Sequence, residues 1–189
     1  MNKISTPFNT ASLLFSRIAG DADFIAKIAC AAECIGEALL DGHTLLIAGN
    51  GGSAAEAQHF SAEIVGRYMR ERRGYPAIAL TTDTSILTAV GNDYAFDAVF
   101  ARQVEALGRS GDVFVGLSSS GNSENIINAL KKARARGLST VSFTGKGGGK
   151  MKGLADIDII VPSDETPRIQ EAHLCIIHGI CEMLDERLA

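Results

Sequence analysis

The chain has 189 residues, 46% of them hydrophobic and 21% charged, with a formal net charge of −4 at pH 7. That balance fits one ordinary globular domain with a sizeable core, and it offers no bulk electrostatic case for nucleic acid. No apolar run is long enough to span a bilayer, and Met1 to Thr10 lack the apolar centre of a signal peptide, so a cytoplasmic location is expected.

Residues 11–41 read as helical, with apolar positions such as Leu13, Leu14, Ile18, Phe24, Ile28, Cys34, Ile35 and Leu39, of which Leu14/Ile18, Phe24/Ile28 and Ile35/Leu39 are four apart. Gly20 and Asp21 break this stretch into two helices, and Asp41-Gly42 ends the second. The pattern then changes. Thr44 to Ala48 predicts a strand that ends in Gly49-Asn50-Gly51-Gly52-Ser53, with a long helix over 54–70. A second strand is expected over 76–80, helical stretches over 83–90 and 95–108, and a third strand over 112–117. A helix over 123–136, strands over 139–144 and 157–161, and a last helix over 167–188 complete the series, with Pro167 suited to a first helical turn. Strand and helix alternate, and the strands are nearly continuous in apolar residues, as a parallel sheet covered on both faces requires. The expected fold is therefore α/β: a doubly wound, five-stranded parallel sheet with an N-terminal helical extension. It forms a single domain over 1–189, with helices in 1–42 and the core in 43–189. In such sheets ligands bind beyond the carboxyl ends of the strands near the topological switch point. The loops 49–53 and 118–123 both leave strand carboxyl ends and should share one rim.

Ser118-Ser119-Ser120-Gly121-Asn122-Ser123 joins a buried strand to a helix. Helix starts carry unpaired N–H groups and the positive end of the dipole, and four hydroxyls add donors. A phosphate group is the natural guest, and without a P-loop lysine a monophosphate on a small molecule fits better than a nucleoside triphosphate. Gly49 to Ala54 matches the G-x-G-x-x-A pattern of dinucleotide sites. That pattern wants an acidic residue about twenty positions on, at the end of the second strand, whereas the second strand here comes later and ends Leu80-Thr81-Thr82-Asp83.

His59 and Glu63 lie four apart on one helical face; they suit a shared divalent metal or an acid–base pair, and equally an ordinary hydrogen bond on a polar face. Gln170 and His178 interrupt the apolar pattern of the last helix, which also carries Glu171 and His173. Eight residues of helix rise about 12 Å, so Gln170 and His178 act on different parts of a substrate or one of them arrives from another subunit. Asn92-Asp93 sits at an expected loop, as a site element or as an Asx turn. Arg67, Arg70, Arg72 and Arg73 read as a solvated face, although Arg67, four residues after Glu63, is placed to pair with it or to reach an anion. Gly145 to Lys150 reads as a flexible connection, and Cys30, Cys34, Cys175 and Cys181 as small apolar residues with no metal-ligand spacing.

Taken jointly, the 49–53 loop, Gln58-His59-Phe60 with Glu63, Gly74 to Ala79, Gly91-Asn92-Asp93, the 118–123 loop, Thr144-Gly145-Lys146, and Arg168 to Glu171 with His173 and His178 resemble the sedoheptulose 7-phosphate isomerase (phosphoheptose isomerase) family. That family belongs to the SIS (sugar isomerase) superfamily, whose sheet is flavodoxin-like. The resemblance covers nearly the whole chain. It implies a homotetramer with sites between subunits, and isomerisation of D-sedoheptulose 7-phosphate to D-glycero-D-manno-heptose 7-phosphate on the way to nucleotide-activated heptose for surface polysaccharide. It implies that Asn50, Gly51, Gly52, Ser53, Glu63, Asn92, Asp93, Ser118, Ser119, Ser120, Ser123 and Gln170 hold substrate. His59, Glu63, Gln170 and His178 match the zinc set, and Glu63 and His178 the catalytic pair. Pro167 departs from the family, which often has Asp there, and Asp164 or Glu165 is the alternative carboxylate. A second reading is a non-catalytic SIS adaptor that binds the replication initiator. Those adaptors lack the equivalents of Glu63 and His178, both present here.

Overall fold

A computed structural model describes residues 3–189; Met1 and Asn2, the start of the stretch read for a leader, lie outside them. Two helices come first, α1 (Ser5–Ala19) and α2 (Ala22–Leu40). The break between them is made by Asp21, whose carboxylate accepts the Phe24 N–H and caps α2. The core follows as β1 (Leu45–Ala48), α3 (Gly52–Val65), β2 (Ala77–Ala79), α4 (Thr84–Asp93), α5 (Val99–Leu107), β3 (Val113–Ser118), α6 (Glu124–Ala135), β4 (Ser139–Thr144), β5 (Ile157–Ile160) and α7 (Thr166–Leu188). No helix among the described residues is long and apolar enough to cross a membrane.

All strand pairs are parallel, and the order is β2-β1-β3-β4-β5. Successive side chains of each strand face opposite layers. Leu45, Ile47, Val113, Val115 and Phe143 pack beneath α1, α2, α3 and α7, while Leu46, Ala48 and Phe114 pack against α5 and α6. With both faces covered, alternation gives way to the continuous apolar runs seen in the sequence. The switch point falls between β1 and β3, paired Leu45 to Val113 through Ala48 to Gly116, so the loops 49–51 and 119–123 rise side by side from one rim.

Several boundaries differ from expectation: α1 starts at Ser5 rather than at 11, and a 3-10 turn over Phe96–Ala98 precedes α5. The third helix ends at Val65 rather than at 70, because the Arg72 guanidinium donates to the Glu63 and Ile64 carbonyls that would otherwise continue it. Arg67 is therefore outside the helix and pairs with Glu71 instead of Glu63. Asn92 and Asp93 form the last turn of α4, not a loop, and Asp83 caps that helix by accepting the Ile86 N–H. The Gly145–Lys150 stretch is a run of 3-10 turns seated on the serine loop: Met151 N–H donates to Gly121 O at 2.9 Å and Lys150 N–H to the Asn122 carboxamide at 3.1 Å.

Candidate active site

The serine loop is tied internally before any ligand arrives. Ser118, 4% exposed at the end of β3, places its Oγ 2.8 Å from Ser123 Oγ and 3.4 Å from Ser120 Oγ. Ser123 occupies the N-cap of α6 yet makes no capping bond, because its hydroxyl is turned to Ser118. The first turn of α6 thus opens into the loop without a side-chain cap, leaving the positive end of the helix facing the hydroxyls. Gly121 has φ +65°, and a Cβ there would overlap the Gly148 carbonyl, so only glycine allows the glycine-rich turns to close over the loop.

Across the switch point Asn50 and Asn125 exchange two carboxamide hydrogen bonds, each 2.9 Å. This bridge joins the loop after β1 to the first turn of α6. Gln170 stands against the other side of the first loop: a Cβ on Gly52 would overlap its carboxamide. Beneath both loops lies a buried polar layer. The His173 ring is fully buried with Nε2 3.2 Å from Thr144 O, which makes that nitrogen the donor, and Glu56 Oε2 lies 3.7 Å from Nδ1.

A second cluster forms where α3 and α7 run side by side. His59 Nε2 is 3.2 Å from Glu63 Oε1 and 3.0 Å from His178 Nε2, and the three ligand atoms all fall within 4.8 Å of one another. Two imidazole nitrogens and a carboxylate oxygen converge on one point. Zinc held tetrahedrally, with Zn–N near 2.0–2.1 Å, sets donor atoms about 3.3 Å apart, and the distances from His59 to Glu63 and to His178 are of that size, so the donor chemistry suits a divalent cation. Tyr68 stacks on His178, with ring centroids 5.6 Å apart and planes 28° apart. Burial, and then the Glu182, Cys181 and Glu63 side chains, holds the Tyr68 phenol above its ordinary value, so it faces the imidazole as a neutral group. Nearby, burial followed by the Glu63 carboxylate pushes the Cys181 thiol up to about 12, so it takes no part as a thiolate.

Of the residues singled out in the sequence, the structure brings together His59, Glu63 and His178 in one group, Ser118, Ser120 and Ser123 in another, and Gln170 with Gly52 near the second. Gly52 and Glu63 are eleven residues apart on α3, about 16 Å of rise, so the two groups lie toward different ends of that helix. Gln170 lies with the loop end, eight residues and about 12 Å of helix before His178. Asn92 and Asp93 are exposed, bonded to each other at 2.9 Å. Asp164 and Glu165 are exposed just before α7, which has Pro167 in its first turn. Sequence reasoning passed over Asn125 and Glu56, and read the Gly145–Lys150 segment as a mere connection. The signal for Asn125 was its place in the first turn after the serine loop; Glu56 carried none.

Residues 9–145 match the SIS domain family. The phosphoheptose isomerase of Geobacter sulfurreducens is 57% identical over 166 residues, 88% of each chain. The chain belongs to the phosphoheptose isomerase family of SIS-domain proteins. Two solved structures of that family superpose closely. The enzyme of Neisseria gonorrhoeae gives a TM-score of 0.90 at 42% identity, covering 97% of each chain. That of Francisella tularensis gives 0.93 at 37% identity, covering 98% of this chain and 97% of its own. The expected fold class, a five-stranded parallel α/β sheet, agrees with these structures, and the replication-adaptor reading is not favoured by these relatives.

Proposed function

We propose that the protein is an aldose–ketose isomerase that converts D-sedoheptulose 7-phosphate to D-glycero-D-manno-heptose 7-phosphate, in line with the names of its relatives. The observation that carries the reading is the grouping of Glu63 and His178, an acid–base pair on two helices, in a chain that also presents an uncapped, hydroxyl-rich helix start. The reaction moves a proton between adjacent carbons through an enediol, which needs a base, a proton donor and stabilisation of oxyanion charge. Ser118, Ser119, Ser120 and Ser123 anchor the phosphate, with Asn50, Gly51, Gly52 and Ser53 forming the facing wall. Gln170 orients the sugar. Glu63 and His178 exchange protons with the carbons and their oxygens.

His59, Glu63 and His178, with Gln170 of a neighbouring protomer, would hold zinc. When bound, zinc would supply Lewis-acid polarisation of the carbonyl. We read the assembly as a homotetramer whose sites lie between protomers, because the phosphate end and the acid–base end are apart within one chain. Surface character supports this: α4 has no buried residue, and Tyr94, Phe96, Phe8 and Leu13 are each at least 60% exposed. Asn92 and Asp93, at the end of α4, then reach substrate from such an interface.

Product analysis by NMR after incubation with sedoheptulose 7-phosphate tests the reading, with and without added zinc after chelation. The aldose phosphate should form. Glu63→Gln should remove turnover by about a thousandfold or more while the circular dichroism spectrum is unchanged. Near-normal turnover in that variant would exclude the assigned role.

A further inference from the structure

Arg72 and Asp185 make no hydrogen bond to any side chain assigned to substrate, and both side chains are nearly sealed from solvent, 1% and 3% exposed. Arg72 spends its guanidinium on four partners. Nε donates to Asp185 Oδ1 at 3.0 Å, Nη1 to the carbonyls of Ile64 and Arg73 at 3.0 and 3.1 Å, and Nη2 to the carbonyl of Glu63 at 2.8 Å. Asp185 Oδ2 accepts the N–H groups of Met69 and Arg70 at 2.6 and 2.7 Å. One ion pair therefore fixes the end of α3, the whole return over 66–73, and α7.

Its placement relates to the chemistry. The Glu63 carbonyl that Arg72 holds belongs to the residue whose carboxylate lies in the acid–base group. Asp185 follows His178 by seven residues, two turns along the same face of α7. Tyr68, midway along the pinned return, stacks on the His178 ring. Stability alone does not call for buried charge here, since apolar residues of similar volume stabilise as well or better. A planar guanidinium fork fixes direction as well as distance.

We infer that Arg72 and Asp185 are positioning residues: their ion pair sets the spacing and orientation of Glu63 on α3 against His178 on α7, with Tyr68 completing the hold on the imidazole. The inference rests on the isomerase reading for its kinetic consequence and on the geometry alone for its structural one. Arg72→Lys keeps the charge and loses the fork; Asp185→Asn loses the charge and keeps the shape. Asp112→Asn is the control, a carboxylate 3% exposed that accepts the Thr44 and Arg109 N–H groups at the opposite rim of the sheet.

At a temperature where all variants are folded by circular dichroism, Arg72→Lys and Asp185→Asn should lower kcat about tenfold or more with KM nearly unchanged. Competitive inhibition by inorganic phosphate should keep its constant. In protein labelled with 15N-histidine, the ring signals of His59 and His178 should shift in both variants and stay in place in Asp112→Asn. Tyr68→Leu removes the stack without disturbing buried charge, so it reports even if the charge variants do not fold, and it should lower kcat with KM unchanged. Unaltered kcat and ring signals in Tyr68→Leu and in every folded charge variant would overturn the inference, as would an equal loss of kcat in Asp112→Asn. A wild-type protein that does not isomerise the substrate would remove the functional reading, and the ring signals would still decide the positioning.

Discussion

Asp185 shows how one carboxylate can be both buried and ionised. Burial pushes its pKa up, but the N–H groups of Arg70 and Met69 and the Arg72 guanidinium outweigh burial, and the net value lies below that of an ordinary aspartate. A depressed folded-state pKa means that the stabilisation is fully present above the unfolded value, near 3.9, and is lost as pH falls through the lower folded value. At pH 7 Asp185→Asn should cost about 3 kcal/mol, the usual cost of removing one member of a buried pair. Urea unfolding of wild type and variant between pH 7 and pH 2 should show that difference shrinking only below about pH 4. A difference that stayed constant down to pH 2 would mean that the charge on Asp185 contributes nothing.

The strands were readable because their chemistry is local. Val113 to Leu117 is apolar at every position, and a strand covered on both faces needs that and little else. His59 and Glu63 were readable as neighbours from their helical spacing alone, whereas the arrival of His178 depends on how α7 crosses α3. The end of α3 was not readable at all: Arg72 lies beyond it, and its partner Asp185 is 113 residues away in sequence. The turns over 146–151 were misread as slack because their contacts run to Gly121 and Asn122, far outside any local window. Those contacts predict that Gly121→Ala will be costly. The left-handed backbone alone costs an alanine about 1–2 kcal/mol, and the overlap with the Gly148 carbonyl adds to it. Thermal unfolding should report the loss, and inorganic phosphate should inhibit the variant more weakly, because the turns no longer close on the serines.

For the whole molecule, the proposal that each site lies between protomers has a direct test. If each site takes its serines from one protomer and Glu63 from another, two defective chains can repair each other. Glu63→Gln and the double variant Ser119→Ala, Ser120→Ala should each be inactive alone. Co-expressed in equal amounts, they should recover about a quarter of wild-type activity, since half of the symmetric pairs are mixed and each mixed pair has one intact site of two. Light scattering should report the same oligomer for the mixture as for wild type. A mixture as inactive as its components would place both ends of the site in one chain.

The reciprocal carboxamide bridge between Asn50 and Asn125 carries a liability of its own. Its geometry works only while each side chain offers one donor and one acceptor to the other. Hydrolysis of either amide would set two oxygens face to face and add negative charge beside the loop assigned to an anion. Asn50 is followed by Gly51, the neighbour that least obstructs this hydrolysis. The rim assigned to the ligand therefore holds a slow clock, and ageing of the protein should begin there.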